Sequence, residues 1–268
     1  FVINDLSIAT ILGTKCYTSY PKFVLTQKIL LIVTGIILYH FIGVEAIIFA
    51  IVISYIPFII IMRRGFKNSK IDFTLFKKKK EFILNNYAIM LASGFRRDVD
   101  KLIIPPLLGF AILGNYALSL QIFSVLTIFS GILYKYILPE DASKNSNKKL
   151  KKVSIIFTSG IAIVGYFVLP EIIPWIFPNY IDTIDAIRIM SLTVIPANLV
   201  LILWSELLSK EKSRVVLISA LIQMVVMIVG IITLGPILGI EGLAYTHLLA
   251  SSAQAVFLMV SMKIFENR

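Results

Sequence analysis

The sequence predicts an all-α integral membrane protein of about eight transmembrane helices plus a partial one, and three observations carry that prediction. First, 58% of the 268 residues are hydrophobic and 15% are charged, with a mean hydropathy of +0.90; soluble domains carry about a quarter charged residues. Second, the apolar runs reach the roughly 20 residues that cross about 30 Å of hydrocarbon as a helix. They are apolar on every side, without the period-two alternation of a β-barrel. Third, 22 of the 26 basic residues sit in alternate connections or at the chain's end, as the positive-inside rule requires.

The spans are taken in order. Residues 1–13 are apolar but too short to cross, and read as the end of a truncated helix. The chain opens at Phe1 inside this run, with no basic leader or cleavage site, so it is expected to be a piece of a longer protein. Full spans follow at 23–41, 46–62, 82–104, 116–138, 153–176, 186–208, 215–234 and 243–262. Helices are required there because lipid offers no partner to an open backbone N–H or C=O. Between the second and third spans lies the longest polar stretch, with Arg63, Arg64, Lys67, Lys70 and the run Lys77 to Lys80. It divides the chain into residues 1–64, a basic linker at 65–80, and a six-span lobe at 81–268.

Of the 26 basic residues, only Arg96, Arg97, Lys101 and Arg188 fall outside one set of connections and the chain's end. The opposite connections, around Gly43, at 105–115, 179–185 and 235–242, contain no Lys or Arg. This places the basic set, and the C-terminus, in the cytoplasm, and the protein in the cytoplasmic membrane as a multi-pass chain. It also accounts for the net charge of +11 through attraction to an anionic leaflet rather than to nucleic acid.

One cysteine, Cys16, excludes a disulfide scaffold or a thiolate cage. The two histidines, His40 and His247, are too far apart in sequence to signal a metal site. No cofactor is expected. Tyr39 and His40 suit the outer headgroup level.

The dense charge cluster inside a span is Arg96-Arg97-Asp98-Val99-Asp100-Lys101. A charge at mid-membrane costs at least about 2.5–3.5 kcal/mol on insertion scales, so the cluster is expected to face a cavity or another helix. Helical spacing pairs Arg96 and Arg97 with Asp100. Three cations against two anions leave a positive surplus, suited to a phosphate group through guanidinium forks; an ion-pair lock between helices is the structural alternative. Asp98 and Asp100 also match the Asp-x-Asp of some glycosyltransferases, but their basic neighbours would compete with a metal. Arg188 begins a span from the outer side, either paired with Asp185 or open to a phosphate. Glu206 is an ion-coupling candidate whose plainer reading is an i, i+4 pair with Lys210. Gln121, Gln223, Gln254 and His247 read as polar glue between helices.

The motif Asp100-Lys101-Leu102-Ile103-Ile104, then Leu108-Gly109, then Leu113-Gly114-Asn115-Tyr116, resembles the opening of the second lobe of polysaccharide flippases of the multidrug/oligosaccharidyl-lipid/polysaccharide transporter superfamily. Ile173-Pro174-Trp175-Ile176-Phe177 with Tyr180, followed by Ala186-Ile187-Arg188-Ile189-Met190, is similar to a later helix connection of that family. Leu207-Leu208-Ser209-Lys210-Glu211-Lys212-Ser213-Arg214 and 236–244 are similar to its last loops. Pro105-Pro106 departs from the pattern, and most of a first lobe is lacking. The resemblance implies a non-enzymatic transporter that flips lipid-linked oligosaccharides by alternating access, partnered by the bilayer, its substrate and the missing N-terminal lobe. A cation-coupled multidrug exporter of the same superfamily is the alternative, with a membrane glycosyltransferase or polymerase behind it.

Overall fold

The computed structural model describes residues 8, 9, 11–13, 18–56, 59, 73–143 and 147–266; the side chains of residues 73, 75, 76, 95–97, 265 and 266 lie outside that description. Most of the remnant at 1–13, Lys15, Cys16 and residues 65–72 of the basic linker therefore fall outside the described residues.

The described chain is α-helical, with no strand. Five helical segments are long and apolar enough to cross a membrane: Ser19–Ser54, Phe110–Ala142, Lys148–Phe167, Pro178–Ser209 and Ser213–Ile264. Two of these each hold two of the expected spans. The expected span at 82–104 is helical, but its charge cluster keeps it outside the apolar set.

The chain divides into two compact units, Phe1–Lys77 and Lys78–Arg268. In the first unit, α1 (Ser19–Ile42) and α2 (Ala46–Ser54) form an antiparallel hairpin. Buried Gln27 donates to Ser54 Oγ at 3.3 Å, and Gly35 sits against Ala50. Such pairs, late residues against early ones, require the reversal at Gly43, where φ is +73°. The rest of the hairpin is bare: Ile36, Phe41 and Ile48 are each about two-thirds exposed or more. A water-exposed face of that kind would drive association; in hydrocarbon it is an ordinary outer surface. A six-residue helix, α3 (Phe73–Lys78), occupies the described end of the expected linker.

The second unit holds α4 (Lys80–Leu108), α5 (Phe110–Ala142), α6 (Lys148–Phe167), α7 (Leu169–Ile176), α8 (Ile184–Ser209) and α9 (Ser213–Glu266). The central helix is α8. It touches α5, α6 and α9, while α4 packs on α9. Its buried residues run along it from Ala186 to Leu207, and include Ser191, Thr193, Asn198 and Ser205. Polar side chains join the apolar ones inside, and large apolar ones cover the outside: Ser119, Ser154, Thr158, Gln223 and Gln254 are buried beside Ile104, Met190 and Leu258, while Ile156, Ile163, Val225 and Ile237 are exposed. A core of this composition suits a bundle whose solvent is lipid, because polar groups between helices then have nowhere better to go.

Two connections and one span differ from the sequence expectation. The outer connection at 105–115 shrinks to Gly109 alone, with φ +89°. α4 runs through Pro105 and Pro106 in its last turn; neither has an N–H for the carbonyls of Lys101 and Leu102, yet Gly109 N–H still donates to the Pro105 carbonyl at 3.0 Å. The expected span at 153–176 is broken after Phe167 into α6 and α7. The connection at 235–242 is helical except at Gly239 (φ +57°, ψ −130°), a conformation open to glycine. The arms of α9 on either side of Gly239 lie back to back. Ser219 meets Gln254, Gly230 meets Thr246, and Gly242 meets Leu234.

Candidate functional site

A cavity of about 580 Å³ lies inside the second unit, between α4, α5, α8 and both arms of α9. The apolar runs that build these helices are interrupted on their inner faces by polar residues, and those residues make its wall. Asp100 and Lys101 come from α4, Gln121 and Thr127 from α5, and Trp204 from α8. Gln223, His247 and Gln254 come from α9.

The strongest feature of the wall is a chain of three side chains from three helices. Tyr116 Oη of α5 is 3.0 Å from Asp100 Oδ2 of α4 and 2.6 Å from His247 Nε2 of α9. Tyr116 is fully buried and Asp100 is 2% exposed. The other carboxylate oxygen, Asp100 Oδ1, accepts the Lys101 backbone N–H at 2.8 Å. His247 also lies beside Phe123, with ring centroids 6.1 Å apart. A tyrosine hydroxyl carries one proton. With Asp100 ionised, that proton goes to the carboxylate, and His247 Nε2–H must then be the donor to Tyr116. Tyr116→Phe should therefore lower the unfolding free energy by about 1–3 kcal/mol, since it strips a buried carboxylate of its donor; a thermal midpoint in detergent equal to the parent's would contradict this.

A second node fixes two further side chains of the wall, Trp204 and Gln254. Buried Ser219 Oγ accepts from Trp204 Nε1 at 3.1 Å and from Gln254 Nε2 at 3.2 Å, while donating to the Val216 carbonyl. One hydroxyl thus orients an indole of α8 and an amide of α9.

The sequence candidates distribute unevenly. Asp100 and Lys101 both line the cavity, but in different roles. Asp100 is buried against Tyr116, whereas Lys101 Nζ is half exposed and pairs with Asp98 at 2.8 Å. The expected pairing of Asp100 with Arg96 and Arg97 involves side chains outside the described residues; the partners described for Asp100 are Tyr116 and the Lys101 backbone. Arg188 lies at the other end of α8, in an exposed pair with Asp185 at 2.8 Å. Glu206 holds Lys210 at 3.0 Å and Lys151 at 3.5 Å, and is not on the cavity wall.

Sequence reasoning missed two things. Tyr116 appears in it only at the end of the motif that opens with Asp100, and His247 only as polar glue; nothing along the chain joins the three as hydrogen-bonded partners. It also missed a buried ion pair. Lys151 Nζ of α6 lies 2.8 Å from Asp141 Oδ2 of α5, which also accepts from Ser205 of α8 at 2.7 Å. The signal for it was an acid and a base at adjoining span ends. Among the described residues no cluster of three or more His, Cys, Asp and Glu could hold a metal ion. Comparison of the chain with protein-family models, curated proteins and solved structures gives no match.

Proposed function

We propose that this chain serves as a membrane transporter that flips lipid-linked oligosaccharides, or related polysaccharide precursors, across the cytoplasmic membrane by alternating access. The observation that carries the reading is the cavity: a space of about 580 Å³ with amide, hydroxyl, imidazole and carboxylate walls inside a bundle whose outside is hydrocarbon-like. Such a wall can shelter a polar head group while a lipid tail stays in the bilayer. No nucleophile or metal is needed for that task. The sugar-carrier cargo follows from the sequence resemblance around Asp100 to Tyr116.

The test is a protected-label assay. The chain is reconstituted into vesicles with a short polyprenyl-pyrophosphate oligosaccharide bearing a fluorophore on its sugar, and a membrane-impermeant quencher is added. Transport raises the quenchable fraction above the half expected for a static bilayer; Gln254→Leu, which removes an amide from the wall, lowers the rate. A quenchable fraction equal to that of empty vesicles refutes the reading. Asp100 in the wall favours a second cargo, a cationic drug, and export of a fluorescent cation by the same vesicles would move the assignment there.

Orientation is tested separately. In a Cys16→Ser background, single cysteines at Lys78, Lys149 and Lys212 should react with an impermeant maleimide only after cells are opened. Cysteines at Asn115, Asn179 and Glu241 should react on intact cells. Labelling of Lys149→Cys from outside together with protection of Asn179→Cys would invert the topology.

A further inference from the structure

The Asp100–Tyr116–His247 chain has the geometry of a proton wire. Its links are 3.0 and 2.6 Å, its middle member is fully buried, and both ends, Asp100 and His247, border the cavity. We propose that these three side chains form a proton-binding site that takes one proton from the cavity and holds it on the Asp100 carboxyl.

The transfer balances without any other reactant. In the empty site Asp100 is a carboxylate, Tyr116 donates to it, and His247 Nε2–H donates to Tyr116. A proton arriving on the second ring nitrogen makes His247 an imidazolium. Its Nε2 proton then moves to Tyr116 Oη as the Tyr116 proton moves to Asp100 Oδ2. One N–H and one O–H bond break, and two O–H bonds form. The imidazole ends neutral with its proton on Nδ1, Tyr116 is unchanged in composition, and Asp100 is a neutral carboxylic acid. Both hydrogen bonds survive with donor and acceptor exchanged, so the change needs little movement of heavy atoms.

The surroundings favour such a site. Among the described side chains, the titratable and charged groups facing it are Lys101 on α4, paired with Asp98, Tyr116 on α5 and His247 on α9. The α8 residues of the cavity wall are Ala197, Val200, Leu201 and Trp204, none of which ionises. Burial of Tyr116 and Asp100 strengthens hydrogen bonds along the wire and makes an isolated carboxylate costly. Loading a proton removes that charge. The inference goes beyond the transport reading and does not rest on the identity of the cargo.

Infrared difference spectra of the full chain in lipid nanodiscs, titrated with acid, test it. In a His40→Gln background, His247 is the sole imidazole. A protonated-carboxyl band should grow as pH falls and be lost in Asp100→Asn, which keeps the shape of the side chain. The imidazole ring bands should change at the same midpoint, because the wire makes the two groups one titrating unit. Tyr116→Phe should split them by about one pH unit or more, and His247→Gln should move the carboxyl midpoint in an otherwise folded protein. Identical titrations in the parent and Asp100→Asn would overturn the site, as would identical midpoints in the parent and Tyr116→Phe. A null result in the vesicle assay leaves these outcomes unaffected.

Discussion

Lys151→Met should lower the unfolding free energy of the second unit by about 3–5 kcal/mol, the cost of stranding one partner of a buried ion pair. The Lys151 side chain is 11% exposed and that of Asp141 3%, so water does little to screen them. Without the ammonium, Asp141 keeps the Ser205 hydroxyl at 2.7 Å, while its Oδ1 has no hydrogen-bond partner among the described residues. Glu206 is better placed, because Lys210 remains 3.0 Å away. The double variant Lys151→Met/Asp141→Leu should recover most of the loss, since an apolar pair of similar volume often replaces a buried ion pair without penalty. Unfolding in mixed micelles, followed by circular dichroism, measures both. A single variant within about 1 kcal/mol of the parent would show the pair to be wetter than its geometry implies.

Gly242→Ala should be the second severe lesion, and for a steric reason. A Cβ on Gly242 would collide with the backbone carbonyl of Leu234, its carbon at 2.7 Å, on the opposite arm of α9. Backbone cannot rotate aside as a side chain can, so the arms would have to part. Overpacking of this kind costs about 1–3 kcal/mol and occasionally more. Gly165→Ala is the graded comparison: its Cβ would meet Ser191 Oγ at 2.6 Å and Leu126 Cδ1 at 3.2 Å, both side-chain atoms. Gly160, with nothing within 4 Å, is the control, and its replacement by Ala should stabilise α6 by about 0.5–1 kcal/mol. Thermal midpoints ranked Gly160→Ala highest and Gly242→Ala lowest are expected; equal midpoints for Gly242→Ala and the parent would disprove the close approach.

The helices were legible in the sequence because a span is a local property, a run of apolar residues of fixed length. The reversals were legible only in part. Gly43 and the stretch 235–242 stood out as breaks between runs without Lys or Arg, yet that Gly239 alone makes the second turn depends on how its arms pack. Pro105 and Pro106 pointed to a loop, since the local rule for proline ends a helix. In α4 the helix persists to Leu108, where lipid would leave a freed backbone without partners. The site was legible residue by residue and not as an arrangement. Asp100 drew notice as a charge within a span. Its partners stand 16 residues from it in the case of Tyr116, and 131 beyond Tyr116 in the case of His247. Contacts at such separations are decided by which faces of three helices meet, and no spacing rule reaches that far. The ionic reading of the cluster was local and reached only the arginines beside Asp100, whose side chains lie outside the described residues.

The one-residue turn at Gly239 also bears on how the protein is made. Between Arg214 and Lys263 the single charged side chain is Glu241, next to that turn. A nascent chain whose two arms are joined without a loop has no polar segment to thread through the insertion machinery on its own. The arms can leave the translocon as one helical hairpin, their backbone satisfied and their facing polar groups already matched, with one carboxyl beside the turn. Lengthening the turn with polar residues would convert this concerted entry into two sequential ones, the first of which would expose Ser219 and Gln223 to lipid before Gln254 and Ser251 arrive.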